Sequence, residues 1–278
     1  VRLRPALAFV VFAAAFIAPA SAARAGDPFE IQVYDGTANP PGVPGLELHL
    51  NDWATGHRDA TAPEAPLHGQ AHATLEPSLG VTRSWELGAY LQFAERTDAG
   101  AFDWAGVKLR SKFVTPPGWR GPWRLGLNLE VSYLPSAYDR DLWGSELRPI
   151  VAWQNDVWLF AINPIIDQSL AGPGASDGPL LEPAVKASRT FGPVALGAEY
   201  YGTIGPIAAP LPVRLQEHYI FETADLVGLD RVEVNAGVGE GLTPASAGII
   251  VKVILGYTFD AATPQPSFLA SKQERRTR

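Results

Sequence analysis

The feature that most restricts this chain is an alternation of apolar and polar side chains, carried through segments of about ten residues and repeated along most of its length. Trp85, Leu87, Ala89, Leu91 and Phe93 alternate with Glu86, Gly88, Tyr90 and Gln92. Leu125, Leu127, Leu129, Val131 and Tyr133 alternate with Arg124, Gly126, Asn128, Glu130 and Ser132, and Val232, Val234, Ala236 and Val238 alternate with Glu233, Asn235 and Gly237. A period of two gives each segment one greasy face and one polar face, and no sustained helical period competes with it.

Gly, Pro, Asn and Asp clusters bound the segments. They predict strands near 46–54, 70–79, 83–94, 103–114, 123–134, 145–155, 157–168, 180–191, 193–203, 213–222, 230–239 and 248–259. The connections alternate in length. Gly80-Val81-Thr82, Asp156 and Gly192 are short, whereas 55–70, 135–145, 169–179 and 203–212 are long. Parallel crossovers would need helices, which the pattern lacks. The fold class that follows is all-β, an antiparallel up-and-down transmembrane β-barrel of about twelve strands with short periplasmic turns and long extracellular loops. Pro77, Pro149, Pro164 and Pro183 fall inside predicted strands, where each removes a ladder donor, so bulges or strand ends are expected there.

The polar parity collects Glu76, Glu86, Lys108, Arg110, Lys112, Glu130, Arg148, Glu182, Lys186, Glu199, Glu233 and Lys252. These residues would suit a wet lumen or, equally, the outside of a soluble barrel. The aromatics decide between the two. With the last strand running down to the periplasm, Trp85, Trp123, Trp153, Trp158, Tyr257 and Phe259 gather at one level with apolar parity, as expected of an interfacial girdle facing lipid. Lipid offers no hydrogen bonds, so such a sheet must close on itself.

The N-terminus supports export. Arg2 and Arg4 precede an apolar run from Ala6 to Ala18, and Ala20-Ser21-Ala22 and Ala23-Arg24-Ala25 supply small-residue cleavage sites. Domain organisation is therefore read as a signal peptide (1–25), a periplasmic N-terminal segment (26–45) that could instead fold back as a plug, an outer-membrane barrel (46–259) and a flexible C-terminal tail (260–278). Cysteine is absent, excluding disulfides and thiolate metal sites. Removal of three arginines with residues 1–25 takes the formal charge from −7 to −10, which argues against nucleic acid as a partner.

The closing stretch Gly248 to Phe259, GIIVKVILGYTF, resembles the C-terminal assembly signal of bacterial outer-membrane barrels, with Leu255, Tyr257 and Phe259 as its spaced apolar and aromatic positions. In that family the aromatic is usually the last residue, whereas here Asp260 to Arg278 follow. Phe29-Glu30-Ile31-Gln32-Val33-Tyr34-Asp35-Gly36, Trp85-Glu86-Leu87-Gly88-Ala89-Tyr90 and Gly239-Glu240-Gly241-Leu242-Thr243-Pro244 resemble an uncharacterised transporter-like group of outer-membrane barrels near the MetA-pathway of phenol degradation family. The resemblance implies outer-membrane lipid and lipopolysaccharide as surroundings, barrel-assembly machinery as a partner and a small-molecule solute as cargo.

No phosphate loop, His-Glu-x-x-His helix or calcium loop is present, and no cofactor or catalytic residue is expected. Outer-membrane phospholipases also use barrels and carry a His-x-Ser-Asn-Gly pattern, but His218 is followed by Tyr219, Ile220 and Phe221. Glu47, His49, His72 and Glu76 share the lumen parity and could offer an oxygen-and-nitrogen ligand set. The preferred reading makes them hydrogen-bonded lumen groups, with no metal expected. The functional expectation is passive transport of a small solute through a narrow polar lumen. A lipid-modifying hydrolase and a structural or interaction barrel are the alternatives.

Overall fold

The computed structural model describes residues 27–58, 63–96 and 101–260. The expected signal peptide and all of the expected tail after Asp260 lie outside these residues. Twelve long strands follow one another: β1 (Pro44–Trp53), β2 (Gln70–Thr82), β3 (Trp85–Arg96), β4 (Ala101–Val114), β5 (Trp123–Tyr133), β6 (Trp143–Gln154), β7 (Trp158–Ala171), β8 (Leu180–Phe191), β9 (Val194–Thr203), β10 (Glu217–Leu226), β11 (Val232–Gly241) and β12 (Ile249–Thr258). Each pairs antiparallel with its neighbours in sequence. The ring closes where β1 meets β12, from Gly45 opposite Thr258 to Asp52 opposite Val251. Closure leaves no sheet edge, so the strand backbones can be satisfied without water.

Alternation sets the two faces. On β1, Leu46 and Leu50 point outward while His49 and Asn51 are buried inside. Large apolar side chains stay exposed all round the outer wall, including Leu87, Leu91, Leu129, Val151, Ile162, Leu196 and Leu255, with Leu109 at 67%. A band of this extent on the outside, around an interior rich in charge, inverts a soluble protein and matches a lipid-facing surface.

Aromatics bound that band at both levels. At the short-turn rim Trp85 stacks on Phe113, Trp153 and Trp158 flank Phe160, Trp123 stands opposite Trp153, and Tyr257 meets Phe259 edge-on at 4.9 Å. At the long-loop rim Trp104 stacks on Tyr133, which leans on Trp143 at 5.1 Å. This second girdle was not among the sequence expectations. Indole and phenol rings suit the headgroup level because one end is apolar and the other can reach water.

The strand boundaries follow the sequence reading to within three residues except at β10, which spans Glu217–Leu226 instead of 213–222; β2 runs on through the expected turn Gly80-Val81-Thr82, and the turn falls at Arg83-Ser84. Leu211, Val213 and Leu215 imitate an alternating strand. Pro212 instead leads into a 3-10 turn over Val213–Leu215, and Leu211 folds over Gly205, whose φ of +94° and lack of a Cβ permit the approach.

The four prolines also depart from expectation. They make neither bulges nor strand ends but lie inside β2, β6, β7 and β8. Pro164 stands directly opposite Pro183 in the β7–β8 pair. Between β6 and β7 the pairing is interrupted from Leu147↔Ile166 to Val151↔Ile162, the stretch holding Pro149 and Pro164, and resumes in the same register. A missing N–H removes a ladder bond without adding a residue, so the side-chain parity survives. Register shifts fall elsewhere, as at Gln92/Phe93, where Gly106 takes a φ of +143° and a Cβ would lie 2.5 Å from the Tyr133 carbonyl oxygen.

Candidate functional site

The segment before β1, for which the sequence left open a periplasmic position or a plug, threads the lumen. Asn39 sits near the short-turn mouth, its backbone N–H donating to Glu86 Oε2 at 2.6 Å and its amide to Ser78 Oγ at 2.9 Å. At the other end the Pro28 carbonyl accepts from Asn51 Nδ2 at 3.2 Å and lies 2.9 Å from His72 Nδ1, while the Phe29 ring stacks on His72 at 4.4 Å. Between them Phe29, Glu30, Ile31, Val33 and Tyr34 are all buried. The reason is electrostatic as well as steric. Residues 27–43 contain Asp27, Glu30 and Asp35 and no lysine or arginine, whereas the wall presents a shell of cations at matching heights.

Arg148, on β6, is the centre of that shell. Its Nε and Nη2 form a fork onto Glu146 at 2.6 and 3.0 Å, its Nη1 reaches both Glu30 Oε1 and the Gln32 carbonyl at 3.3 Å, and its guanidinium lies 4.4 Å from the Tyr34 ring centre. Lys252 donates to the Ile31 carbonyl at 2.9 Å and pairs with Glu199, which also takes Lys186 at 3.1 Å. Lys108 pairs with Asp27 and with Glu130 at 3.2 Å. Arg110 contacts Glu76 and Glu86 at 2.7 and 2.8 Å, and Lys112 reaches Glu86 at 2.8 Å. Near the mouth Arg124 meets Asp35 at 3.1 Å.

Polar neutral groups fix the segment's position. Asn163, on β7, donates through Nδ2 to the Tyr34 carbonyl at 3.0 Å and accepts the Tyr34 N–H at 2.7 Å, serving the plug backbone as a neighbouring strand would. The Tyr34 hydroxyl donates to Glu30 at 2.7 Å and lies 2.6 Å from the Tyr90 hydroxyl.

The lumen side chains expected from parity thus fall into distinct settings. Glu76, Glu86, Lys108, Arg110, Glu130, Arg148, Lys186, Glu199 and Lys252 are buried within this network, and Lys112 is half-buried beside it. Glu182, half-buried, accepts from Thr203 at 3.2 Å. Glu233 stands exposed at the short-turn mouth. Tyr34, Tyr90, Glu146 and Asn163 were missed. The acidic, base-free composition of 27–43 was the signal that this stretch could pair with lysines and arginines of a wall that carries both signs of charge.

What remains of the lumen is divided. Below the plug a polar cavity of about 270 Å3, lined among others by Gln32, Glu47, Lys186, Glu199 and Glu233, faces the short turns. Above it lies a smaller cavity, about 50 Å3, where Trp53, Tyr201, Tyr219 and Phe221 meet the charged Glu30, Glu146, Arg148 and Glu182. Among the described residues the His218 ring meets no serine hydroxyl: it lies 2.7 Å from the Tyr200 hydroxyl and 2.9 Å from Gln216 Oε1, while Ser246 bonds the His218 backbone.

No family model and no curated protein sequence matches this chain. Its likeness is one of fold. The COG4313 outer membrane channel from Pseudomonas putida F1 superposes with a TM-score of 0.59 at 12% identity, covering 83% of this chain and 100% of that one. The KdgM porin superposes with a TM-score of 0.52 at 10% identity, covering 78% of this chain and 99% of that one. The fold is that of an outer-membrane β-barrel.

Proposed function

We propose that this barrel is a passive outer-membrane conduit for a small solute, held closed at rest by residues 28–39. The observation that carries the reading is the plug itself. It is bound by side chains from most of the barrel wall, yet it stands between a polar cavity open towards the short turns and a smaller cavity nearer the long loops. A tethered segment that fills a lumen through polar contacts can be exchanged for solute and water, which an interior packed by wall side chains alone cannot. The likeness in fold to an outer-membrane channel and a porin supports this class. So does the resemblance of residues 29–36, which form the plug, to an uncharacterised transporter-like group of barrels near the MetA-pathway of phenol degradation family. No catalytic role is proposed for any residue. The outward-facing Leu255, Tyr257 and Phe259 fit a strand presented to barrel-assembly machinery, and the apolar wall fits lipid and lipopolysaccharide.

Planar-bilayer recording tests the proposal. The wild type should conduct weakly or not at all, and a chain lacking residues 28–38 should give a larger, stable current. Arg110→Ala, which deprives Glu76 and Glu86 of their guanidinium, should change conductance or ion selectivity. Silence from both wild type and deletion variant, with correctly folded barrels, would favour a structural barrel.

A further inference from the structure

We infer that Glu47, His49 and Glu76 form a binding site for a zinc-like divalent cation on the inner wall, at the β1–β2 pair. Glu47 and Glu76 stand directly opposite each other across the strands, and His49 follows Glu47 by two residues, so all three project inward. Two carboxylates facing each other in a closed interior repel and call for a cation between them. Arg110 serves one side only: its Nη2 lies 2.7 Å from Glu76 Oε1, leaving Glu76 Oε2 turned towards the histidine.

The three side chains converge as ligands on one point would, with the imidazole in ion-pair range of both carboxylates. His49 Nε2 lies 3.4 Å from Glu47 Oε2 and 3.4 Å from Glu76 Oε2, equally far from both. Its side chain is wholly buried, and neither ring nitrogen has a hydrogen-bond partner among the described residues. Nitrogen and oxygen donors at about 2.0–2.1 Å from a tetrahedral zinc ion stand roughly 3.3–3.4 Å apart, the separation seen here. One donor atom from each residue falls within 4.8 Å of the others, so the third edge closes with a small side-chain rotation. Three protein ligands leave one position open. That position has a route to solvent, because Glu47 lines the polar cavity, together with Gln32, whose amide lies 3.4 Å from Glu47 Oε2. The imidazole and two carboxylates suit zinc or cobalt(II) better than calcium or magnesium, which favour all-oxygen shells. His72, grouped with these residues from the sequence, is not part of the site; it lies against Pro28 and Gln70.

The test uses the full chain, folded in detergent and stripped with EDTA. Zinc titrated by calorimetry should bind with a stoichiometry of one, and cobalt(II) should give the intense visible absorption of a four-coordinate site, abolished by added zinc. His49→Gln and Glu76→Gln should each weaken binding by more than about a hundredfold, beyond the ten- to hundredfold typical of outer-shell partners. Glu47→Gln, at a half-buried position, should weaken it at least about tenfold and serves if the buried variants do not fold. Heat-modified gel migration reports folding throughout. Absence of stoichiometric binding by the wild type, unchanged binding in folded His49→Gln or Glu47→Gln, or loss of binding on replacing the remote His57 and His68 would each overturn the site.

Discussion

The two faces of the same strands obey different rules. Outside, Leu87, Leu109, Leu129, Val151 and Leu196 do the same thing at many positions, offering apolar surface to a solvent that makes no distinctions among them. Inside, Arg148, Lys252, Asn163 and Tyr90 each hold a particular atom of one segment. The outer face is therefore redundant and the inner face specific. Redundancy tolerates exchange of one apolar residue for another but not the arrival of a charge, whereas specificity tolerates neither loss nor exchange at a partnered position.

The largest effect expected from this difference is at Arg148. Its replacement by leucine keeps much of the volume but strips Glu146 and Glu30 of their shared guanidinium in a site where Arg148 is 2% exposed. Breaking a buried pair by removing one partner costs about 3–5 kcal/mol. Urea titration of the barrel refolded in phospholipid vesicles should show a loss of that order. A loss below about 1 kcal/mol would mean that the interior is as forgiving as the outer face. Next comes the outer wall. Leu129 lies about midway between Trp123 and Tyr133, so Leu129→Arg should cost about 2–4 kcal/mol in the same titration, whereas Leu129→Ile should cost little.

The contrast also explains what could be seen in the amino-acid sequence. Strand number, parity and the short-turn girdle were legible because each rests on local repetition: Trp85 and Trp123 announce their level through position in a strand, independently of any distant residue. Closure of β1 on β12 follows from the absence of a tolerable edge in lipid. The plug was not legible in the same way. Residues 28–39 could fold inward or hang free, and partners distant in sequence decide it, from Asn51 and Glu86 to Arg148 and Asn163. The proline row was misjudged for a related reason. A proline shows in sequence that a bond is missing, but not that the gap opposite Pro149 lies on Pro164, where the two deletions coincide and leave register intact.

A smaller effect should follow at Asn163. Replacing it by alanine leaves the Tyr34 N–H and carbonyl without their side-chain partner inside the barrel, at about 1–3 kcal/mol for buried groups left unsatisfied. That loss should weaken plug docking more than barrel integrity. Hydrogen exchange should therefore accelerate at the amides of residues 33–35 and remain slow in β5 and β6. Acceleration spread evenly over the strands would place Asn163 among the residues that hold the wall together instead of those that hold the plug.

The smallest effect belongs to Glu233, and it separates inward direction from occupied interior. Glu233 shares the inward parity of Glu199 but stands in water at the short-turn mouth, whereas Glu199 is 2% exposed and held by Lys186 and Lys252. If pointing inward were enough to make a residue specific, the two glutamates would cost the same to remove. Because specificity arises from the partners that the plug and wall supply at depth, Glu233→Ala should change stability by no more than about 0.5 kcal/mol. Glu199→Ala, which leaves two buried lysines without their shared carboxylate, should cost about 3–5 kcal/mol. The same urea titration run on both variants gives the difference directly. Near-equal losses would show that the lumen is a continuous wet channel with the plug lying loosely in it, and that the division between a specific interior and an open mouth does not exist.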